Sequence, residues 1–391
     1  MRILAISQSN NIIGGANRSF LDVLDCLVTI YKHNICVVVP GKGEFTDSLS
    51  KLGIKYILAN YYQTSSMSYG NWKSIASYML SIFDCSINKV SAYKLTKKIR
   101  YEVFDLIYIN DTTNSFGYYL AKYLKTPFVW HFRGYNPKII RYMTILDEKR
   151  LKNDRCGKII VISKAMREFM VSKRGLSDNS IIVIYNGIKN SGVTIKQPWP
   201  DSIEQGFHCL HCGHLSRAKG QVDSIKAIAE LKRRGYRNII LHLAGSSSGT
   251  HNRTYKAELL ALAEKEEVID NLVFEGEVKD MSILRKTMHV ELMCSIAEPF
   301  GRVTVEGMQA GLVMIGCDTG ATPEIINNEE NGLIYKQGNH ISLANCIERV
   351  YRDPVLGNSL SRNAIEFTKA NFTLEKNVKE INEVFLSTVK G

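Results

Sequence analysis

The chain has 391 residues, whereas a single domain typically has roughly 100–200, so two domains are expected. Hydrophobic residues make up 45% and charged residues 23%, a composition that argues against a disordered chain. No apolar run approaches the roughly 18 residues of a membrane-spanning helix, and the N-terminus lacks a signal-peptide pattern. Nine cysteines are too sparse for a disulfide scaffold, so we expect a protein of the reducing cytoplasm.

The positive charge is confined to the first half of the chain. The formal net charge is +12, but residues 1–189 carry 27 Lys+Arg against 13 Asp+Glu, a balance of +14, and residues 190–391 carry −2. A partner attracted by charge is therefore expected to bind the first half.

Short apolar runs alternate with amphipathic ones in both halves. Strands are predicted over residues 3–7, 35–39, 54–59, 106–110, 128–131, 158–162, 181–185, 208–212, 239–244, 272–274, 290–293 and 313–315, with helices between them that include 19–31, 89–103 and 164–173. This alternation is typical of right-handed βαβ units and predicts two doubly wound α/β domains with parallel sheets. The domains would span 1–188 and 207–372, joined by the polar residues 189–206.

Two loops that follow predicted strands have residues suited to a phosphate. A Gly-Gly pair at 14–15 precedes the first helix, without the G-x-G-x-x-G pattern of a nicotinamide dinucleotide site. Glu298 is predicted on a turn with Pro299 and Gly301, and Glu306 in the helix that follows, so helix-end amides between the carboxylates would face an anion. Each feature alone is also compatible with an ordinary βα turn.

The spacing Glu298-x7-Glu306, with the segments 316–326 and 331–335 after it, resembles glycosyltransferase family 4. In the first half the resemblance rests on shorter motifs at 14–15, 131–134, 161–164 and 184–187. It implies the GT-B fold: two Rossmann-like doubly wound parallel-sheet domains facing a central cleft. The first would bind the acceptor, the second would bind a nucleoside-diphosphate sugar, and a last helix near 373–390 would cross back to the first. It also implies a reaction that retains the anomeric configuration.

The resemblance assigns three catalytic residues. Glu298 would bind hydroxyls of the donor sugar, Lys219 would neutralise the leaving diphosphate, and His131 would lie near the reacting sugar carbon. Among the donor-binding positions, Glu306 would hold the ribose. The full set carried over for donor binding is Gly15, Arg217, Glu277, Val278, Phe300, Gly301, Val303, Thr304 and Glu306.

One position departs from the family pattern. Many members carry an arginine five residues before the lysine, where this chain has His214, and a histidine is mostly neutral at pH 7. Arg217 is the nearest residue that would replace the missing positive charge. His214 itself would either contact the diphosphate or be a core histidine at the end of a strand.

The sequence predicts no metal and no cofactor besides the nucleotide sugar. It contains no Asp-x-Asp, so Lys219, backbone amides and a helix dipole would neutralise the diphosphate. The string 208–214 has His and Cys close together, but Cys209 and Cys212 would point to opposite faces of a strand, and no second C-x-x-C exists. We expect buried strand residues there.

Residues 89–100 hold five positive charges and no negative one. Lys94, Lys97, Lys98 and Arg100 would form a cationic helix face suited to an anionic membrane surface, although a solvated face is the simpler interpretation. A nucleic-acid-binding protein and a catalytically inactive subunit of an enzyme pair are the alternatives; no recognition motif for nucleic acid is present. The sequence thus predicts a cytoplasmic glycosyltransferase, peripheral on the inner face of the plasma membrane, that extends a lipid-linked glycan of capsule, exopolysaccharide or O-antigen.

Overall fold

The computed structural model describes residues 1–12, 15–64, 67–68, 72–134, 139–141, 145–154, 157–189, 206–246 and 250–390. The chain forms two compact units. Unit 1 comprises Met1–Lys189 and Leu374–Gly391, and unit 2 comprises Asn190–Thr373. Gly14 and most of the expected linker lie outside the described residues. No helix in the described part of the chain is long and apolar enough to cross a bilayer.

Unit 1 is built on a parallel sheet. Its strands are β1 (Arg2–Ile6), β2 (Asn34–Val39), β3 (Lys55–Leu58), β4 (Met67–Ser68), β5 (Leu106–Asn110), β6 (Phe128–Phe132), β7 (Ile139–Arg141), β8 (Gly157–Val161) and β9 (Ile181–Val183). Its helices are α1 (Gly15–Thr29), α2 (Glu44–Lys51), α3 (Trp72–Lys98), α4 (Ser115–Leu124), α5 (Ile145–Lys152), α6 (Lys164–Ser172) and α14 (Leu374–Lys390). The sheet order is β3-β2-β1-β5-β6-β8-β9, and β4 pairs antiparallel with β7.

The last helix, α14, belongs to unit 1. Its apolar residues recur at intervals of three and four, so they form one stripe. Val378, Ile381 and Phe385 in this stripe are buried in the core of unit 1. The ring of Phe385 packs edge-on against Tyr108 of β5, with centroids 4.9 Å apart. The C-terminal residues therefore complete the core of the first unit.

Unit 2 repeats the architecture. Its strands are β10 (Phe207–Cys212), β11 (Ile239–Ala244), β12 (Leu272–Gly276), β13 (Val290–Met293), β14 (Val313–Cys317) and β15 (Leu333–Tyr335). Its helices are α7 (Gln221–Arg233), α8 (Thr250–Lys265), α9 (Met281–Arg285), α10 (Arg302–Gln309), α11 (Thr322–Ile325), α12 (His340–Arg352) and α13 (Pro354–Asn371). The sheet order is β12-β11-β10-β13-β14-β15, with every pairing parallel among the described residues. The predicted pair of doubly wound parallel-sheet domains is confirmed.

Several elements differ from their predictions. The helix expected over 89–103 is the second half of α3, which begins at Trp72 and ends at Lys98. The chain then turns, with the amide of Glu102 bonded to the carbonyl of Ile99 at 2.9 Å, so Arg100 lies beyond the helix. The short strands β4, β7 and β15 were not predicted.

Candidate functional site

An ion pair joins two loops at the carboxyl ends of neighbouring strands in unit 2. Lys219 follows β10 and Glu298 follows β13, and the two strands are adjacent in the sheet. Lys219 Nζ donates to Glu298 Oε2 at 2.7 Å, and the two side chains are 30% and 15% exposed. The order of the strands thus brings together two residues predicted to be catalytic and 79 positions apart.

Glycine at position 220 permits this approach of the two loops. Gly220 has a φ of +74°, and a Cβ atom there would lie 2.1 Å from the carbonyl oxygen of Cys294. The amide of Ile296 also donates to the carbonyl of Ala218 at 3.0 Å. The loop that carries Lys219 is therefore fixed directly against the end of β13.

The first turn of α10 is oriented for an anion. Gly301 caps this helix at a φ of +94° without a side-chain hydrogen bond. Val303 and Thr304 lie in the first turn, where a helix provides no acceptor for its own amides. The helix dipole adds partial positive charge at the same end. This end of α10 follows the Glu298 loop directly, as the sequence predicts.

Several buried polar atoms around these loops have no hydrogen-bond partner among the described residues. They include Thr304 Oγ1, Ser295 Oγ and Gln221 Oε1. Thr304 is in the first turn of α10, Ser295 follows β13, and Gln221 begins α7 after Lys219. Because buried polar groups are nearly always satisfied in folded proteins, these atoms indicate a polar ligand or ordered water at this edge.

Glu306 is held between two arginines. Its side chain is 24% exposed, and its carboxylate lies 3.4 Å from Arg285 Nη1 and 3.6 Å from Arg302 Nη2. Arg285 is 5% exposed and forms a second ion pair with the buried Glu291 of β13. Sequence reasoning missed Arg285 and Glu291; the one available signal was a glutamate inside the apolar run of β13.

Of three further predicted donor-binding residues, Glu277 is exposed, whereas Val278 and Phe300 pack against apolar neighbours. Glu277 is exposed just after β12, and Val278 packs in a small apolar cluster with Met288. The ring of Phe300 is buried against Phe372, with centroids 5.6 Å apart. The side chains of Val278 and Phe300 therefore serve packing.

The side chains of Arg217 and His214 contact residues other than Lys219 and Glu298. Arg217 Nη2 lies 2.6 Å from Glu258 Oε2, and its guanidinium packs 5.5 Å from the ring centre of Tyr255. The structure therefore places the charge of Arg217 on α8 instead of beside Lys219 and Glu298. His214 is exposed, with Nδ1 bonded to Ser246 Oγ at 2.9 Å, so its interpretation as a core histidine is wrong.

His131 lies fully buried at the end of β6 in unit 1. Its Nδ1 is 2.8 Å from Tyr108 Oη, and its Nε2 has no partner among the described residues. Burial, together with the nearby Arg133, lowers the pKa of His131 well below its usual value. The ring is therefore neutral at pH 7, and its contact with the reacting sugar remains a prediction.

Arg133 organises a polar network at the same edge of the unit 1 sheet. It is 5% exposed, and it donates from Nε to Asn110 Oδ1 and from Nη1 to Asn186 Oδ1, both at 2.7 Å. Asn110 donates in turn to Asn17 Oδ1 at 3.1 Å, in the first turn of α1. Gly15 begins this helix and is exposed. The glycine predicted to contact phosphates thus begins a helix that the network anchors.

The His/Cys string of β10 has the character of strand interior. Burial raises the pKa of Cys212 to about 12 and lowers that of His211 to about 4. His211 Nδ1 lies 2.7 Å from Ser224 Oγ. Within the described ranges, no three His, Cys, Asp or Glu residues form a group that could hold a metal ion.

Comparison with known proteins identifies the family. Residues 13–191 match the family described as Glycosyltransferase Family 4, and residues 198–367 match Glycosyl transferases group 1. The chain belongs to the family 4 glycosyltransferases. The group 1 match extends from before β10 into α13 and includes Lys219, Glu298 and Glu306.

Curated relatives and solved structures agree with this assignment. The lipopolysaccharide core biosynthesis mannosyltransferase LpcC of Rhizobium leguminosarum bv. viciae is 25% identical over 46% of this chain and 51% of its own. The capsular polysaccharide biosynthesis glycosyltransferase CapM of Staphylococcus aureus is 24% identical over 59% of this chain and 62% of its own. The match thus spans about half to three fifths of these relatives. Anabaena Alr3699/HepE, solved with UDP and glucose, is 22% identical, with a TM-score of 0.77 over 99% of this chain and 100% of its own. The fold of this glycosyltransferase is GT-B.

Proposed function

We propose that this glycosyltransferase binds a nucleoside-diphosphate sugar on unit 2 and transfers the sugar with retention of configuration. The observation that carries the proposal is the Lys219–Glu298 pair beside the first turn of α10. A lysine, first-turn amides and a helix dipole are complementary to a diphosphate. A carboxylate next to them is complementary to sugar hydroxyls. The UDP and glucose in the HepE structure support this class of donor.

The proposed chemistry uses the chain's own charges. The bond between the sugar's anomeric carbon and the diphosphate oxygen breaks while an acceptor hydroxyl oxygen bonds to that carbon. The hydroxyl proton passes to the leaving phosphate. Lys219 and the amides of Val303 and Thr304 stabilise the negative charge that develops on the diphosphate. Glu298 orients the sugar, Glu306 binds the ribose, and no metal or cofactor takes part.

The proposed acceptor is a lipid-linked glycan at an anionic membrane surface. Lys94, Lys97 and Lys98 are exposed near the C-terminal end of α3. Earlier on the same helix, Met79 and Phe83 are 60% and 62% exposed. Exposed apolar and cationic side chains on one helix are typical of an interfacial membrane contact. The relatives LpcC and CapM, named for lipopolysaccharide core and capsule, support a cell-envelope glycan of this kind.

A panel of UDP-, GDP- and dTDP-sugars tests the proposal. The purified chain is incubated with each sugar, with and without lipid-linked acceptors, and released nucleotide and glycosylated lipid are measured. We expect release from at least one donor, stimulated by an acceptor, and an α-configured product from an α-configured donor. Donor binding without release would instead support an inactive sugar-binding subunit. Binding of nucleic acid with no donor binding would support the other alternative.

A further inference from the structure

We propose that Arg285 is a positioning residue that fixes Glu306 for the ribose hydroxyls, and that the buried Glu291 exists to hold Arg285. The inference rests on the proposed function, in which Glu306 binds the ribose of a nucleoside diphosphate. It adds two residues that lie outside the motifs quoted in the sequence analysis. Both lie in unit 2, Arg285 at the end of α9 and Glu291 within β13.

Arg285 bridges two carboxylates. Its Nε donates to Glu291 Oε2 at 2.9 Å and its Nη2 to Glu291 Oε1 at 3.1 Å, which is a two-point contact. The remaining terminal nitrogen, Nη1, lies 3.4 Å from Glu306 Oε2. The planar guanidinium is therefore fixed by Glu291 along one edge and presents its other end to Glu306.

The position of Glu291 is unusual for a charged residue. It is fully buried in the interior of the sheet, and α10 packs over its carboxylate. Gly307 of α10 provides the space, because a Cβ atom there would lie 2.5 Å from Glu291 Oε2. Replacing a buried ion pair by apolar residues often leaves stability unchanged or improved, so this pair is not explained by stability alone. The contact of Arg285 with Glu306 provides the explanation.

Two cations define the orientation of the Glu306 carboxylate. Arg285 faces Oε2, and Arg302 Nη2 lies 3.6 Å from Oε1. Burial lowers the pKa of Arg285, but Glu291 and Glu306 raise it by more, so the guanidinium stays charged at physiological pH. A carboxylate fixed in advance loses less side-chain entropy when a ligand binds than a mobile one does. The gain applies only to ligands that have ribose hydroxyls.

The test compares nucleotides with and without these hydroxyls. Dissociation constants are measured by calorimetry for UDP, GDP and ADP and for their 2′,3′-dideoxy forms, with wild type and with the double variant Arg285→Met, Glu291→Leu. The double variant removes both buried charges, so neither remains unpaired. Hydrogen bonds to a charged group are worth enough for wild type to bind the ribonucleotide at least about tenfold more tightly than its dideoxy form. The variant Glu306→Gln is measured alongside. In the double variant we expect the ratio of the two dissociation constants to fall to about the value in Glu306→Gln, with binding of the dideoxy form unchanged.

A second variant tests the inference independently in case the double variant folds poorly. Arg285→Lys keeps a positive charge beside Glu291, but one ammonium cannot bridge both carboxylates, so the ratio is expected to fall here too. If wild type prefers the ribonucleotide and both variants keep the same ratio of dissociation constants, the inference is overturned but the proposed function is not. Equal weakening of both nucleotide forms would also overturn it, since that indicates a purely structural role. If wild type bound none of the nucleotides, the proposed function would fail and the inference with it.

Discussion

Lys219 Nζ donates to Glu298 Oε2 at 2.7 Å, so the two residues assigned to opposite ends of the donor's reacting bond neutralise each other. Both side chains are partly exposed, which leaves each accessible to a ligand. A diphosphate would compete with Glu298 for Lys219, and sugar hydroxyls would compete with Lys219 for Glu298. The pair would therefore keep each group in position until a donor replaced the contact.

Replacing either member is expected to abolish most of the transfer. Removing one group that stabilises developing charge typically costs about 100–1000-fold in kcat, so we expect losses of this order for Lys219→Met and for Glu298→Gln. Initial rates of nucleotide release measure the effect, and circular dichroism checks the fold. Lys265→Met, at an exposed position in the last turn of α8, is the matched control. Near-normal rates in both site variants would contradict the assignment of the site.

Arg217 is expected to matter much less than Lys219. Its guanidinium is paired with Glu258 and is 75% exposed, and exposed pairs contribute only about 0.2–1 kcal/mol. We therefore expect Arg217→Met to change kcat/KM by less than about threefold, since its charge is directed to α8. Rates with the same donor as for Lys219→Met provide the comparison. A loss as large as that of Lys219→Met would show that Arg217 leaves Glu258 to bind the diphosphate.

The turn before α10 shows what the sequence was able to predict. Pro299 and Gly301 broke the pattern of the strand, and the structure has Gly301 as the cap of a helix that begins at Arg302. Alternation of apolar and amphipathic segments also predicted both parallel sheets, because hydrophobic periodicity is a local property. The first part of α3, which begins at Trp72, was not predicted.

Side-chain partners depended on strand order, which local patterns do not contain. The contact of Lys219 with Glu298 requires β10 to lie beside β13. Arg285 lies on a helix of five residues, too short to show a hydrophobic face, and its partner Glu291 contradicts the apolar pattern of its strand. The contact of His131 with Tyr108 joins residues 23 positions apart. Long-range packing alone determines these environments.

Two features of Gly220 require glycine: its positive φ angle and the close approach of the Cys294 carbonyl. Gly220 and Gly235 both have positive φ, +74° and +98°, but a Cβ atom would strike Cys294 only at Gly220 and would meet nothing within 4 Å at Gly235. We expect Gly235→Ala to cost about 1–2 kcal/mol of backbone strain, and Gly220→Ala to cost more and to displace the loop of Lys219. Thermal unfolding and kcat separate the effects. Equal stability losses and unchanged kcat in both variants would argue against the role of close approach.

Membrane binding is expected to depend on the cations at the end of α3 and just beyond it. Each positive charge near an anionic bilayer contributes about 1 kcal/mol, so changing Lys94, Lys97, Lys98 and Arg100 to Gln together should weaken binding at least about tenfold. Sedimentation with vesicles of phosphatidylglycerol and phosphatidylcholine measures the partition. The matched control neutralises four exposed cations of unit 2, namely Lys265, Lys279, Arg362 and Lys369.

The same assay tests the apolar part of α3 separately. Phe83→Ser removes an exposed ring without changing charge, and we expect weaker partition even at high salt, where electrostatic attraction is screened. Equal partition of the four-cation variant and its control would show that these four cations do not bind the membrane.

Acid should destabilise the protein through His211. Burial lowers the pKa of His211 to about 4, whereas an unfolded chain binds the same proton near pH 6.5. Because the unfolded state takes up the proton first, the free energy of unfolding falls as pH drops below about 6.5, by about 2 kcal/mol between pH 7 and pH 5. His211→Gln keeps a polar group for Ser224 and removes this contribution. Urea unfolding at the two pH values should therefore show a smaller pH effect in His211→Gln than in wild type or in the exposed control His214→Gln. The same loss in all three proteins would show that His211 is protonated in the folded state as readily as in the unfolded one.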